Sequence, residues 1–215
     1  MQSLIYLLRH GEVETTVPRR FLGRTDLPLN SNGMSQALSL AEQLRHIPFT
    51  RIAASPLKRA VQTAVLVSGR PIETIEIINE LAEIDLGAWE GKTVAEIEQL
   101  FPGAYEVRGR NLAEYRPQGG ENFTDLANRV CPAVLELAGG NSGPLLIVAH
   151  AGVNRVVLSR LVHRPLQRLL EIPQDYGAVN IFRRTAQGIE VGAINLVDRL
   201  PSPYSFITAA PGDSI

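Results

Sequence analysis

Two of the four histidines in this 215-residue chain stand where an apolar run stops. LIYLL runs into Arg9-His10-Gly11, and PLLIVA runs into His150-Ala151. A neutral imidazole is a nucleophile once its other nitrogen is held as a donor, which fixes the tautomer. Arginine stays charged, and its planar fork matches two phosphate oxygens at once. With Arg9 and Arg59, the two histidines form a cationic cup suited to phosphoryl transfer onto an imidazole. Gly11 brings the backbone close enough to present an N–H to the anion. Such transfer rests on positioning and charge stabilisation, and it requires an acid to protonate the departing alkoxide. Glu83, in LAEIDLGAWEG, fits that task because it follows an expected strand and precedes a glycine turn.

Each of these residues also has an ordinary reading. A strand-end histidine is commonly a hydrogen-bonded structural group. Arg59 could be a solvated helix residue, and Glu83 and Asp85 simple loop carboxylates. His46 and His163 end helical segments, where positive charge is favourable. Cys131 is followed by PAVLEL inside an expected helix, with no cationic loop to activate a thiol. Metal ligation by His10 and His150 is opposed by the neighbouring arginines. The chain has no G-x-x-x-x-G-K-[ST], G-x-S-x-G or H-E-x-x-H motif.

The elements that must position these groups follow from the hydrophobic pattern. Residues 4–8, 51–55 and 144–150 are short apolar runs, the signature of strands buried on both faces. A further strand is predicted over 72–79, and a closing pair over 178–184 and 189–195, joined through Gly188. Helices are predicted over 33–46, capped by Ser31 or Asn32, and from Pro56 through Val67. Others are predicted over 93–101, over 121–138 with a kink at Pro132, and over 152–162. Residues 12–30 form a long loop of the kind that is often functional. Residues 102–120 show little periodicity; they are expected to close over the site, with Arg108, Arg110 and Arg116 as substrate contacts.

Alternating strands and helices imply an α/β/α sandwich around a mostly parallel sheet, whose ligands bind beyond the carboxyl ends of the strands. One domain is expected over 1–200, with a surface tail over 201–215. Hydrophobic residues make up 45% and charged residues 20%, and the formal net charge is −1. That balance argues against broad binding to nucleic acid or membrane surfaces. One cysteine excludes an intrachain disulfide. No apolar run approaches the roughly 20 residues of a membrane span, so a cytoplasmic location is expected.

Four segments, LLRHGE, SPLKRAVQTA, LAEIDLGAWEG and VAHAGV, occur in an order that resembles the histidine phosphatase superfamily, also called phosphoglycerate mutase-like. The resemblance spans residues 4 to 195, and GRTDLPLNSNGMSQA extends it. It implies that His10 becomes a phosphohistidine and that Arg9, Arg59 and His150 complete the phosphate pocket. It implies that Glu83 is first the acid and then the base activating water. Thr16, Gly23 and Ala151 are implied substrate contacts, although the family often has Asn at the position of Thr16 and Gly at that of Ala151. A hydroxyl from Thr15 or Thr16 is the expected replacement. A three-layer sandwich and a metal-independent, cofactor-free phosphomonoesterase are implied. LGAWEG and the short chain resemble the α-ribazole phosphatase and broad-specificity branch, with α-ribazole 5′-phosphate of cobalamin biosynthesis as the specific substrate. The alternatives are a phosphoglycerate mutase and a binder that kept the pocket without catalysis. The partner expected is a small phosphorylated metabolite, and a homodimer is allowed.

Overall fold

The computed structural model of the chain describes residues 3–139, 142–185, 188–197 and 200. The tail expected over 201–215 lies outside these residues. The strands are β1 (Ser3–Arg9), β2 (Arg51–Ala54), β3 (Glu76–Ile77), β4 (Leu145–Ala149), β5 (Val179–Thr185) and β6 (Gly188–Leu196). The helices are α1 (Ser31–Leu44), α2 (Lys58–Ser68), α3 (Val94–Leu100), α4 (Ala104–Arg110), α5 (Phe123–Gly139) and α6 (Ala151–Leu161).

One six-stranded sheet has the order β3-β2-β4-β1-β5-β6. β1 to β4 run parallel, and β5 and β6 close one side antiparallel. Side chains alternate across the pleat, so each strand feeds two cores. Ile5 and Leu7 pack with Leu126, Val130, Val153 and Val156 on the side of α5 and α6. Tyr6 and Leu8 pack with Leu40, Leu44, Ala60 and Ala64 on the side of α1 and α2. The architecture is the α/β/α sandwich expected from the alternating pattern. Among the described residues, no helix is long and apolar enough to cross a membrane.

The central register sets up the rest. Arg9 is paired with Ala149 across β1 and β4, and the His10 backbone N–H donates to the Ala149 carbonyl at 3.0 Å. Two parallel strands therefore end together, and the next residue on each is a histidine. β2 ends beside them, where the Ser55 N–H donates to the Val148 carbonyl.

Several boundaries differ from the sequence pattern. α1 is capped by Asn30, whose side chain accepts from Gly33 N–H at 2.8 Å, rather than by Ser31 or Asn32. The same amide donates to Glu12 and to the Val13 carbonyl, so a tertiary tether selects the cap. α2 starts at Lys58, two residues beyond Pro56, and Asp26 from the long loop accepts its first N–H at 2.7 Å. The strand expected over 72–79 shrinks to Glu76–Ile77 between two 3-10 turns, because β2 is its only neighbour. Within 102–120, where the sequence shows little periodicity, α4 forms. α3 begins with a capping box, Thr93 and Glu96 satisfying each other's backbone N–H.

Candidate active site

At the rim shared by β1, β2 and β4 lies a cavity of about 370 Å³. Arg9, His10, Arg59 and Glu83 all line it. The rule that ligands sit beyond the carboxyl ends of parallel strands locates it correctly.

His10 is 4% exposed, and its Nδ1 lies 2.7 Å from the Gly11 carbonyl oxygen. A carbonyl only accepts, so Nδ1 carries the proton and Nε2 keeps its lone pair. Burial, and then the Arg59 and Arg9 charges, hold this imidazole well below its ordinary value of 6.5. It is a neutral base at pH 7.

Arg9 is fixed at the end of β1 by a hydrogen bond from one terminal nitrogen to the Gln174 carbonyl, and its guanidinium stacks 3.8 Å from the centre of the Tyr176 ring. Arg59, on the first turn of α2, is 1% exposed. Its terminal nitrogens donate to the carbonyls of Thr25 and Gly23 at 2.7 and 2.6 Å. The long loop thus serves as the clamp of an arginine, and its backbone is in turn gathered by Glu90. That carboxylate accepts from the N–H groups of Gly23, Arg24 and Thr25 and from the Thr25 hydroxyl. Burial lowers both arginines from their ordinary value, but a guanidinium remains charged.

Glu83 is 7% exposed, and each carboxylate oxygen accepts one backbone N–H: Ile84 at 2.9 Å and Gly152 at 3.0 Å. A second lone pair on each oxygen remains for a proton from the cavity.

His150 is fully buried and does not line the cavity; its ring centre lies 5.1 Å from that of His10. Its Nε2 is 2.6 Å from the Ser55 hydroxyl. Burial, followed by the charges of His10, Arg59 and Arg9, lowers its pKa well below 6.5. Among the described residues, four buried side-chain polar atoms lack a hydrogen-bond partner, and three of them are here: Arg9 Nε, Arg59 Nε and His150 Nδ1. Unpaired buried polar atoms are costly, so their concentration around one imidazole marks the place where an oxyanion fits.

The structure changes or sharpens several readings of individual residues. Gly11 does not offer its N–H to a ligand, since that group donates to the Thr63 hydroxyl at 3.1 Å. Glycine is needed there because a Cβ would sit 2.5 Å from the Gly33 carbonyl oxygen. Gly23 is buried off the cavity and acts through the carbonyl that holds Arg59. Thr16 is exposed and bonds to the Pro18 carbonyl, while Thr15 lines the cavity. Ala151 faces the cavity, and the position where a methyl would displace the Glu83 carboxylate is Gly152, where a Cβ would meet Glu83 Oε1 at 2.5 Å. Of the three loop arginines, Arg108 lines the cavity, whereas Arg110 pairs with Glu106 and Arg116 with Asp125.

Residues not singled out from sequence also face the cavity: Arg19, Arg155 and Tyr176. Arg155 had a usable signal, being one helical turn beyond Ala151 on the same face of α6. Tyr176, in the irregular segment before β5, had none. Among the described residues, no group of three or more His, Cys, Asp or Glu side chains is placed to hold a metal ion.

Comparison with known proteins agrees with this geometry. Residues 5–197 match the family model described as histidine phosphatase superfamily, branch 1. A glucosyl-3-phosphoglycerate phosphatase of Mycolicibacterium vanbaalenii is 34% identical over 170 residues, covering 75% of each chain. An adenosylcobalamin/α-ribazole phosphatase of Salmonella typhimurium is 33% identical over 175 residues, 80% of this chain and 86% of that one. Among solved structures, the α-ribazole phosphatase of Shigella flexneri superposes with a TM-score of 0.82 at 27% identity, covering 93% of this chain and 99% of its own.

Proposed function

The chain belongs to the histidine phosphatase superfamily, and from that premise we propose that it hydrolyses a small phosphomonoester through a phosphohistidine at His10. The observation that carries the reading is the His10 tautomer. With Nδ1–H given to Gly11, the Nε2 lone pair stands beside the charged forks of Arg9 and Arg59.

In the first step Nε2 attacks phosphorus and the P–O bond to the alcohol breaks. The departing oxygen takes a proton from Glu83, the carboxylic acid of the same cavity. In the second step water attacks the phosphohistidine, Glu83 removes a proton from that water, and Nε2 leaves as a neutral imidazole. Inorganic phosphate departs and Glu83 is protonated again. Arg9 and Arg59, on the cavity wall, supply donors to the phosphoryl oxygens, whose charge is spread in a loose transition state, with His150 Nδ1 unpaired behind His10. Ser55, donating its hydroxyl proton to His150 Nε2, fixes the tautomer with Nδ1–H.

No step calls on a metal, and the clustered guanidiniums repel a cation. Activity is therefore expected to persist in EDTA. One candidate substrate is α-ribazole 5′-phosphate, supported by the Salmonella relative, which would place the enzyme in cobalamin biosynthesis. Glucosyl-3-phosphoglycerate is its competitor, supported by the mycobacterial relative. A cytoplasmic location is proposed with either.

The test is phosphate release from both compounds and from p-nitrophenyl phosphate, with quenching in alkaline detergent to trap phosphate on the protein that is stable in base and lost in acid. The expected label is on His10 and absent from His10→Asn. Net isomerisation of 3-phosphoglycerate with little free phosphate would overturn the hydrolase reading in favour of a mutase.

A further inference from the structure

The cavity is far more basic than a single phosphoryl group requires. Its lining holds six arginines, Arg9, Arg19, Arg20, Arg59, Arg108 and Arg155, against one carboxylate, Glu83. The whole chain has a formal net charge of −1, so this concentration is local. Arg9 and Arg59 flank the nucleophile. Arg20 is answered by Glu96 at 2.8 Å, and Arg108 lies over the rings of Phe21, Trp89 and Phe123, 5.7 to 5.8 Å from their centres.

Arg19 and Arg155 remain. Arg155 donates from Nε to the Ile172 carbonyl at 2.9 Å, which aims the fork, and its terminal nitrogens have no hydrogen-bond partner among the described residues. Arg19 comes from the loop after β1 and lines the same cavity, and among the described residues it has neither a hydrogen bond nor an ion pair. The two are close enough to repel each other and Arg9, and that repulsion adds to burial in lowering Arg155. The acids that act on Arg155 are Glu83 and Asp175. Glu83 is held by two backbone N–H groups, and Asp175 receives the Asn195 amide at 2.7 Å. Two guanidinium forks that line one cavity without a counter-charge of their own are stabilised by an anion bound there.

We propose that the substrate carries a second acidic group, a carboxylate or a phosphate, besides the phosphoryl that is transferred, and that Arg19 and Arg155 bind it. The proposal rests on the phosphatase reading above and narrows it to a substrate class. It also separates the two named compounds, since glucosyl-3-phosphoglycerate has a carboxylate and α-ribazole 5′-phosphate has no acid besides its phosphate.

Glycerol 1-phosphate, 3-phosphoglycerate and glycerol 1,3-bisphosphate share one backbone and end in a hydroxyl, a carboxylate or a second phosphate. Phosphate release is measured for each with the native chain and with Arg19→Gln and Arg155→Gln. One or both acidic compounds are expected to exceed glycerol 1-phosphate in kcat/KM by at least about tenfold, the size of a charge-assisted contact, and which one does so identifies the acid. That ratio is expected to collapse towards unity in each variant. Arg19 is exposed, so its replacement gives a readout even if Arg155→Gln unsettles α6. Equal kcat/KM for the three compounds, or a ratio that survives both substitutions, overturns the proposal. Absence of phosphate release even from p-nitrophenyl phosphate takes down the phosphatase reading and this proposal with it.

Discussion

His10 and His150 illustrate how burial chooses a protonation state. Both imidazoles are pushed well below 6.5, first by burial and then by neighbouring positive charge. Well above that pH they are neutral in folded and unfolded chains alike, and their effect on stability is constant. Below 6.5 the unfolded chain binds protons that the folded chain refuses, so stability declines until the lowered folded values are reached. The slope is at most about 1.4 kcal/mol per pH unit for each histidine. Urea midpoints at about pH 7.5 and about pH 5 should therefore differ, and His150→Asn should flatten the difference. His10→Asn is expected to cut turnover by at least about a thousandfold while leaving the melting transition cooperative. Glu83→Gln should slow alkyl phosphates more than p-nitrophenyl phosphate, whose leaving group needs little protonation; equal losses would remove Glu83 from the acid's place. His10 and Arg9 were legible because strand ends in the sequence already pointed to one rim, whereas Glu83 follows a 3-10 turn rather than the strand expected before it. Gly11 and Gly23 were misread because a backbone group's partner, Thr63 or Arg59, is set only by tertiary approach.

Helix α6 shows what an element contributes beyond its residues. Its first turn brings Gly152 N–H to Glu83 and turns Ala151 towards the cavity, and one turn later it delivers Arg155. Gly152→Ala is expected to displace the Glu83 carboxylate, since the new methyl would lie 2.5 Å from Oε1. A shift of that kind can cost about a hundredfold in kcat with little change in KM, measurable by steady-state kinetics. The boundaries of α6, β1 and β4 were readable from apolar runs. The start of α2 was not, because its first N–H is accepted by Asp26, more than thirty positions away in sequence. The short β3 was overcalled for the opposite reason: residues 72–79 carry a strand-like composition, but the sheet edge pairs only two of them.

At the scale of the molecule, the sandwich follows from strands that are apolar on both faces. Leu7 is fully buried in the core beside α5 and α6. Leu7→Ala should cost about 2–5 kcal/mol, read as a lower urea midpoint. The parallel part of the sheet was foreseeable from alternation, but its order was not. Nothing along the chain says that β4 inserts between β1 and β2. That insertion has a consequence for how the protein matures. An oxyanion held at the ends of β1 and β4 bridges parts of the chain some 140 residues apart, and only the completed sheet can grip it. Inorganic phosphate, the product, is then also a stabiliser of the folded form alone, and millimolar amounts should raise the melting temperature of the entire domain.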